Sequence, residues 1–524
     1  MRLIALRSHA VAWFIAAFTV FSIGRIAWIA AGGDARIVTF VPDDAFYYLM
    51  PARNFSRLGF WTFDGVSTST GFHPLYAYFL ALVYWLFPGV ALGPLFVALA
   101  VFNTALVGIS IWLIARSLDW YCPRPVVIAS LAVALFTLLG PTTLLVESAL
   151  ELAVAATLFW LVFALPRAEA TGARLLAAFV LGLFGSLARS DFGLLPACMV
   201  LGVALAHLHE RGWRGALLRA GAGVLGAGAG VAAVFLHGYW INGRFLQASV
   251  AIKRHWSAVE GYSILAPLRE FLVVPAPYMV IPVHTFALKL ALLIVTAAAM
   301  LFLTWRWLDG WKIFVDPVTV FASTAIVGYA VVYGFDSGAI QIWYNTSIVI
   351  PAIALVCVFG RALRRPQPAA VYAAAAVFAL AGAALSLIPP MPWQVYSYSA
   401  GLYLQAHPDL KPVGAWNAGV LGYFAGGGVV NLDGLMNDDV YPYVVDGRLA
   451  DYVTRRGLRS IADHEDMLTN PLFRRRGGYA GPGLDSMLTP LATFTAPEIE
   501  PPYRLWRVTN SVGAPPSALD ATAR

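Results

Sequence analysis

Long stretches without a single charge constrain this chain more than any other feature. Residues 94–115, 126–146, 318–335 and 369–406 contain no Asp, Glu, Lys or Arg. A helix that crosses a bilayer needs about 20 mostly apolar residues, and these runs recur along the sequence. They are continuous rather than alternating, which reads as helix and not as barrel strand. Composition agrees. Of 524 residues 60% are apolar and only 12% are charged, about half the roughly 25% charge of a soluble domain. A soluble globule and a disordered chain are both excluded. The fold class is a polytopic α-helical membrane protein.

The net charge of +7 does not point to nucleic acid, because the basic residues sit in short loops between apolar runs. Eleven membrane helices are expected, at 8–31, 93–115, 125–145, 149–165, 174–188, 192–207, 219–237, 283–304, 314–335, 343–360 and 369–389. The basic N-terminal stretch reads as an uncleaved first helix rather than a signal peptide, because its apolar part is long for one. With the N-terminus in the cytoplasm, the inner loops hold 14 Lys and Arg in 54 residues. The outer loops before the tail hold 8 in 129. The roughly fourfold difference in density is the bias expected of inner loops. Cys122, Cys198 and Cys357 fall in an inner loop and in helices, so no disulfide framework is expected.

Two domains follow. Residues 1–389 form the membrane module, with a long first outer loop at 32–92. An aromatic-rich segment inside that loop, 72–87, is short for a span and reads as a helix lying at the interface. Residues 390–524 carry 11 basic and 13 acidic side chains, the density of a soluble domain. Strands are expected at 428–432 and near Ser460 and Ile461, with a helix at 446–456, giving a small α/β domain outside the membrane.

Ionisable residues at a membrane boundary are candidates for function. Asp43 and Asp44 are adjacent carboxylates able to orient a hydroxyl and take its proton. The doublet permits a divalent metal without requiring one; helix capping accounts for it equally well. Glu147 lies between two apolar runs on the same face, and Glu151, one turn on, ranks below it. Arg189 and Asp191 form a turn between two short helices, or a local ion pair. Lys253, Arg254 and His255 are basic residues on the disfavoured side, where pairing with phosphate gives them a purpose. Lys289 reads as a snorkelling side chain. His73 is a polar anchor of the first loop, and Tyr344 opens a helix in an aromatic belt. There is no P-loop, HExxH or CxxC motif.

The first loop reads Asp43-Asp44-Ala45-Phe46-Tyr47-Tyr48-Leu49, then Ala52-Arg53-Asn54, Thr62-Phe63-Asp64-Gly65 and Thr70-Gly71-Phe72-His73-Pro74-Leu75. This pattern resembles the first loop of bacterial GT-C superfamily glycosyltransferases, close to the protein mannosyltransferase and aminoarabinose transferase type. The resemblance is close in the first loop and loose over 1–390. It implies a polyprenyl-phosphate sugar donor, an envelope acceptor (glycan, lipid or protein) and a site on the periplasmic face. The protein would then sit in the bacterial inner membrane, surrounded by membrane lipids, with its C-terminal domain periplasmic.

By resemblance, Asp43 matches the catalytic base and Glu147 the second-loop acid, although Leu145-Val146 precedes it in place of Gly-Met. Arg189-Ser190-Asp191 resembles an Arg-Pro-Asp turn. The segment from Asn242 to Lys253 resembles one ending in a lysine, with Gln247-Ala248-Ser249 replacing Pro-Asn-Thr. The tail runs Trp416-Asn417-Ala418-Gly419 and Asn431-Leu432-Asp433-Gly434 recur in such proteins without an assigned role. A phosphate leaving group needs no general acid. The expectation is therefore one inverting displacement, with Asp43 as base and Asp44 and Glu147 positioning acceptor or sugar. Lys253, Arg254 and Arg189 would neutralise the phosphate, and His73, Asp191 and Tyr344 would line the substrate site. No cofactor is required, and a metal, if one binds, would use Asp43 and Asp44. The competing readings are a transporter or flippase of a lipid-linked glycan, and a non-catalytic envelope-assembly protein.

Overall fold

The computed structural model describes residues 2–123, 126–128, 130–131, 146–165, 167–261, 316–334, 344, 346–362, 368–496 and 499–509. Among them, four helices are long and apolar enough to cross a membrane: Ala10–Ala31, Leu92–Leu118, Ser190–His209 and Arg211–Asn242. Six more apolar helices are shorter: Pro74–Leu86, Ser148–Ala164, Gly172–Ala188, Pro317–Tyr333, Thr346–Val358 and Ala369–Ala384. Seventeen helical residues rise about 26 Å, less than the roughly 30 Å hydrocarbon core. Among the described residues, length and composition thus show four candidate spans; the eleven expected are not shown. The expected span at 125–145 lies mostly outside the described residues, and that at 283–304, with Lys289, wholly so.

Small residues bring two of these helices into backbone contact. A Cβ on Gly182 would stand 2.1 Å from the Gly223 carbonyl oxygen, and one on Gly226 would stand 1.9 Å from that of Phe179. Only glycine permits that approach, which is how helices pack where no hydrophobic gain separates them from lipid. The tight seat fixes the end of Gly172–Ala188. There the Arg189 N–H bonds the Gly185 carbonyl at 2.8 Å and the chain turns extended. At the other end of the pair, the buried Arg219 guanidinium donates to the carbonyls of Leu161 and Ala168 at 2.8 Å each and to that of Leu165. It thereby satisfies the open carbonyls where Ser148–Phe159 and the following π-turn Trp160–Ala164 end.

The first loop is ordered by two helices, Asp43–Leu58 and Pro74–Leu86. They pack through Tyr48 and Tyr76, whose rings lie edge to face at 5.3 Å. At 13 residues, Pro74–Leu86 rises about 20 Å, too short to span unaided. It buries Tyr76, Leu80 and Tyr84 and exposes Leu82, Trp85 and Leu86.

Near the C-terminus lies a five-stranded sheet in the order β2-β1-β3-β5-β4. The strands are β1 (Val413–Ala415), β2 (Val429–Asn431), β3 (Ser460–His464), β4 (Leu488–Ala496) and β5 (Ile499–Val508). β1 pairs in parallel with β2 and β3, while β5 is antiparallel to β3 and β4. The expected strands at 428–432 and at Ser460 correspond to β2 and β3, and the expected helix at 446–456 is Leu449–Arg455. Cys122, Cys198 and Cys357 are buried free thiols.

Candidate active site

Asp43 and Asp44 open the Asp43–Leu58 helix after Pro42, whose extended backbone makes it the cap residue. Successive helical positions diverge by about 100°, so the two carboxylates face different neighbours. Asp43 turns to the C-terminal domain. Its Oδ1 accepts the Val420 N–H at 2.7 Å and its Oδ2 the Gly419 N–H at 3.0 Å. Asp44 turns instead into a cavity of about 130 Å³ between the first loop and the helical module.

Seven of the nine residues singled out in the sequence line that cavity: Asp44, His73, Glu147, Arg189, Asp191, Lys253 and Tyr344. Arg254 does not. On the Ala248–Glu260 helix, Ser249, Val250 and Lys253 share the cavity face, while Arg254 points to the exposed side. The helix is seated by Gln247, whose Nε2 donates to the Phe72 carbonyl at 2.8 Å, and by the Ala248 N–H on Thr70 Oγ1 at 3.2 Å.

Arg189 is the hub. It is buried, and its guanidinium reaches Glu147 Oε1 at 3.3 Å, Glu151 Oε2 at 3.3 Å and both oxygens of Asp191 at 3.1 Å. It also donates to Tyr333 Oη at 3.1 Å and lies 4.5 Å from the centre of the Tyr344 ring. Tyr333 in turn donates to Asp191, and Ser347 donates to Glu151 at 2.9 Å. Lys253 donates to the Tyr344 hydroxyl and sits 4.9 Å from the same ring. One planar cation thus organises three carboxylates, a task for which the guanidinium fork suits and an ammonium does not.

The surroundings retune the cavity's groups. Burial pushes the Asp44 carboxyl up to about 7; Lys253 opposes the rise, while Asp43 and Glu147 add to it. Burial pulls Lys253 down, but Tyr344 and Asp44 outweigh it and its pKa ends above the ordinary lysine value. Burial also drives His73 down to about 4 against the pull of Glu147, so its ring is neutral at pH 7. The His73 Nε2 stands 4.0 Å from Glu147 Oε1, and its Nδ1 is buried without a hydrogen-bond partner. Such a group in a cavity is open to a ligand.

The two carboxylates of the doublet face different neighbours, Asp43 the Gly419 and Val420 amides and Asp44 the cavity. Among the described residues no group of three His, Cys, Asp or Glu side chains is placed to hold a metal ion.

The sequence reading did not single out Tyr47, Tyr48, Ser249, Tyr333 or Leu435 as cavity residues. Tyr47 and Tyr48 were findable, since each follows one of the aspartates by four positions and so shares its helix face. Leu435 carried no signal, because it comes from the C-terminal domain. Its carbonyl presses on the first loop so closely that a Cβ on Gly71 would meet it at 1.7 Å. The two tail motifs explain this seat. Tyr47 Oη donates to Asp433 Oδ2 at 2.7 Å and accepts from the Ala418 N–H and Asn431 Nδ2, both at 3.1 Å. Further out, Arg456 pairs with Asp64 at 2.7 Å and Arg476 with Glu260 at 2.6 Å.

Fold and cavity define a helical protein with, among the described residues, four helices long and apolar enough to cross a membrane, a small C-terminal sheet and a buried polar cavity. No known protein-family profile matches the chain, and no curated protein matches it.

Proposed function

We propose that this is a membrane glycosyltransferase of the GT-C type, moving a sugar from a polyprenyl-phosphate donor to an acceptor hydroxyl of the envelope. It would lie in the bacterial cytoplasmic membrane, N-terminus inside, with the cavity and the C-terminal domain on the periplasmic face. The observation that carries the reading is the opposition, within one cavity, of the Asp44 carboxylate to Lys253. A base and a cation are the two components that displacement of a lipid phosphate needs.

Asp44 takes the acceptor proton. Asp43, expected as the base, serves instead to hold the C-terminal domain over the cavity, because its carboxylate faces the Gly419 and Val420 amides and does not line the cavity. Lys253 stabilises the departing phosphate. Arg189, its charge balanced by the carboxylates around it, holds Glu147 and Asp191 for hydrogen bonds to the sugar, while the neutral His73 presents its open Nδ1. Attack opposite the leaving phosphate inverts the anomeric centre.

The test is transfer of labelled sugar from a panel of polyprenyl-phosphate donors by purified protein in lipid. Asp44→Asn is expected to lose transfer at least about a hundredfold, the lower range for a general base, while eluting as a folded species. Asp44→Asn turning over like wild type would overturn the assignment.

A further inference from the structure

We propose that the C-terminal domain, together with Arg244 and the first loop, forms a binding groove for an anionic saccharide presented from the membrane. The groove, about 770 Å³ in volume, lies outside the cavity, within the usual range for ligand sites of roughly 300–1,000 Å³. Arg244, Arg448, Arg455 and Arg456 line it, with Tyr443 and Tyr452 between them. Two aspartates also line it, Asp64 and Asp439, and Asp446 and Asp451 pair with Arg448, so the groove is near neutral overall and its recognition capacity lies in particular guanidinium donors.

The arginines differ in what they leave open. Arg456 is committed to Asp64, and Arg448 is shared between Asp446 at 2.8 Å and Asp451 at 3.8 Å. Arg455 spends one donor on Tyr443 Oη at 2.8 Å, and Arg244 one on the Asp438 carbonyl at 3.3 Å. A guanidinium has five N–H donors in a fixed fork. Arg455 and Arg244 therefore retain the geometry that grips a carboxylate or phosphate in two places. The half-buried Tyr443 ring beside them offers a flat apolar face with a polar rim, which suits a pyranose ring, whereas Tyr452 is buried and only backs the groove.

Two neighbours say where such a ligand comes from and where it goes. The groove shares Arg244 and Pro442 with an apolar cleft of about 550 Å³ that includes Phe245 and Leu246. That cleft begins at Asn242, the end of the candidate span Arg211–Asn242, so it meets the bilayer edge. On the other side, the segment from β2 to Asp439 forms a shared wall. Val430 and Asp439 face the groove, and Leu435 faces the catalytic cavity. A lipid-anchored anionic glycan fits this sequence of surfaces.

The groove can be tested apart from any transfer reaction. Full-length protein in detergent is titrated with tetragalacturonate, with maltotetraose and with phosphatidylglycerol micelles, following tryptophan fluorescence. Tetragalacturonate is expected to bind, weakening as salt rises, and to bind Asp44→Asn equally well. Maltotetraose is expected to bind roughly tenfold more weakly, the loss of one charge-assisted contact pair. Arg244→Ala with Arg455→Ala should reduce tetragalacturonate binding by at least that factor, and both residues are exposed, so folding is spared; Tyr443→Ala should weaken it as well. Equal binding of the neutral sugar, or unchanged binding by the double variant, overturns the groove while leaving the proposed transfer untouched. Binding of phosphatidylglycerol without tetragalacturonate overturns the saccharide assignment in favour of a plain lipid headgroup.

Discussion

The Asp43 carboxylate accepts the backbone N–H of Gly419, 376 positions away, at 3.0 Å. A Cβ on Gly419 would stand 2.4 Å from the Asp43 carbonyl oxygen, so the approach depends on glycine. Together with the Val420 amide, this contact makes Asp43 a clamp between the first loop and the C-terminal domain. Asp43→Ala is expected to loosen the domain, costing about 1–3 kcal/mol for amides left without their charged acceptor. Limited proteolysis should then cut within 390–410 sooner than in wild type. Asp43→Asn, which keeps one acceptor oxygen, should retain measurable transfer, whereas Asp44→Asn should not. The opposite ranking would return the base to Asp43.

Asp44 gives a pH signature. Its pKa in the fold is about 7 and in the unfolded chain about 3.9. The base form exists only above the folded value, so kcat/KM should rise with unit slope and level off above about pH 7. Stability runs the other way. The raised pKa favours the neutral carboxyl, so its contribution is complete below about pH 3.9 and is lost as pH rises through about 7. Thermal melts at pH 8.5 should therefore show Asp44→Asn at least as stable as wild type. A flat rate profile between pH 5.5 and 8.5 would sink this account.

Arg189 has two replacements that separate charge from shape. Arg189→Ala leaves Glu147, Glu151 and Asp191 buried around no cation and should cost about 3–5 kcal/mol, read as loss of the monodisperse peak on size exclusion. Arg189→Lys keeps the charge but not the fork. It should yield folded protein with transfer well below wild type. Full activity in the lysine variant would mean that Arg189 supplies charge alone.

Tyr47→Phe removes the hydroxyl that Asp433, Ala418 and Asn431 share. With three buried partners lost, destabilisation of about 1–3 kcal/mol is expected, measured as a lower midpoint in thermal melts. Tyr48→Phe leaves the clamp intact but removes a hydroxyl bonded to Glu147 and the His73 backbone, so its midpoint should fall less than that of Tyr47→Phe.

The low charge of the sequence announced a membrane-type helical chain, and its few charged exceptions pointed to Asp43, Asp44, Glu147, Arg189, Asp191, Lys253 and Arg254, of which Asp43 and Arg254 do not line the cavity. The α/β tail was legible in the same way, because a return to soluble-domain charge density and short apolar runs are local signals. Helix length was less legible. Apolar composition alone does not distinguish a helix of 30 Å from one of 20 Å, and of the eleven expected spans five fall on shorter helices and two lie mostly or wholly beyond the described residues. Which aspartate of the doublet enters the cavity was not legible at all. Both have the same local chemistry, and the choice depends on amides of Gly419 and Val420 arriving from the other end of the chain. Sequence by itself determined which residue types are scarce enough to matter and on which elements they sit. The tertiary structure alone decided that Asp43 clamps and Asp44 faces the cavity, because a hundred degrees of helix rotation separates two neighbours that a sequence leaves side by side.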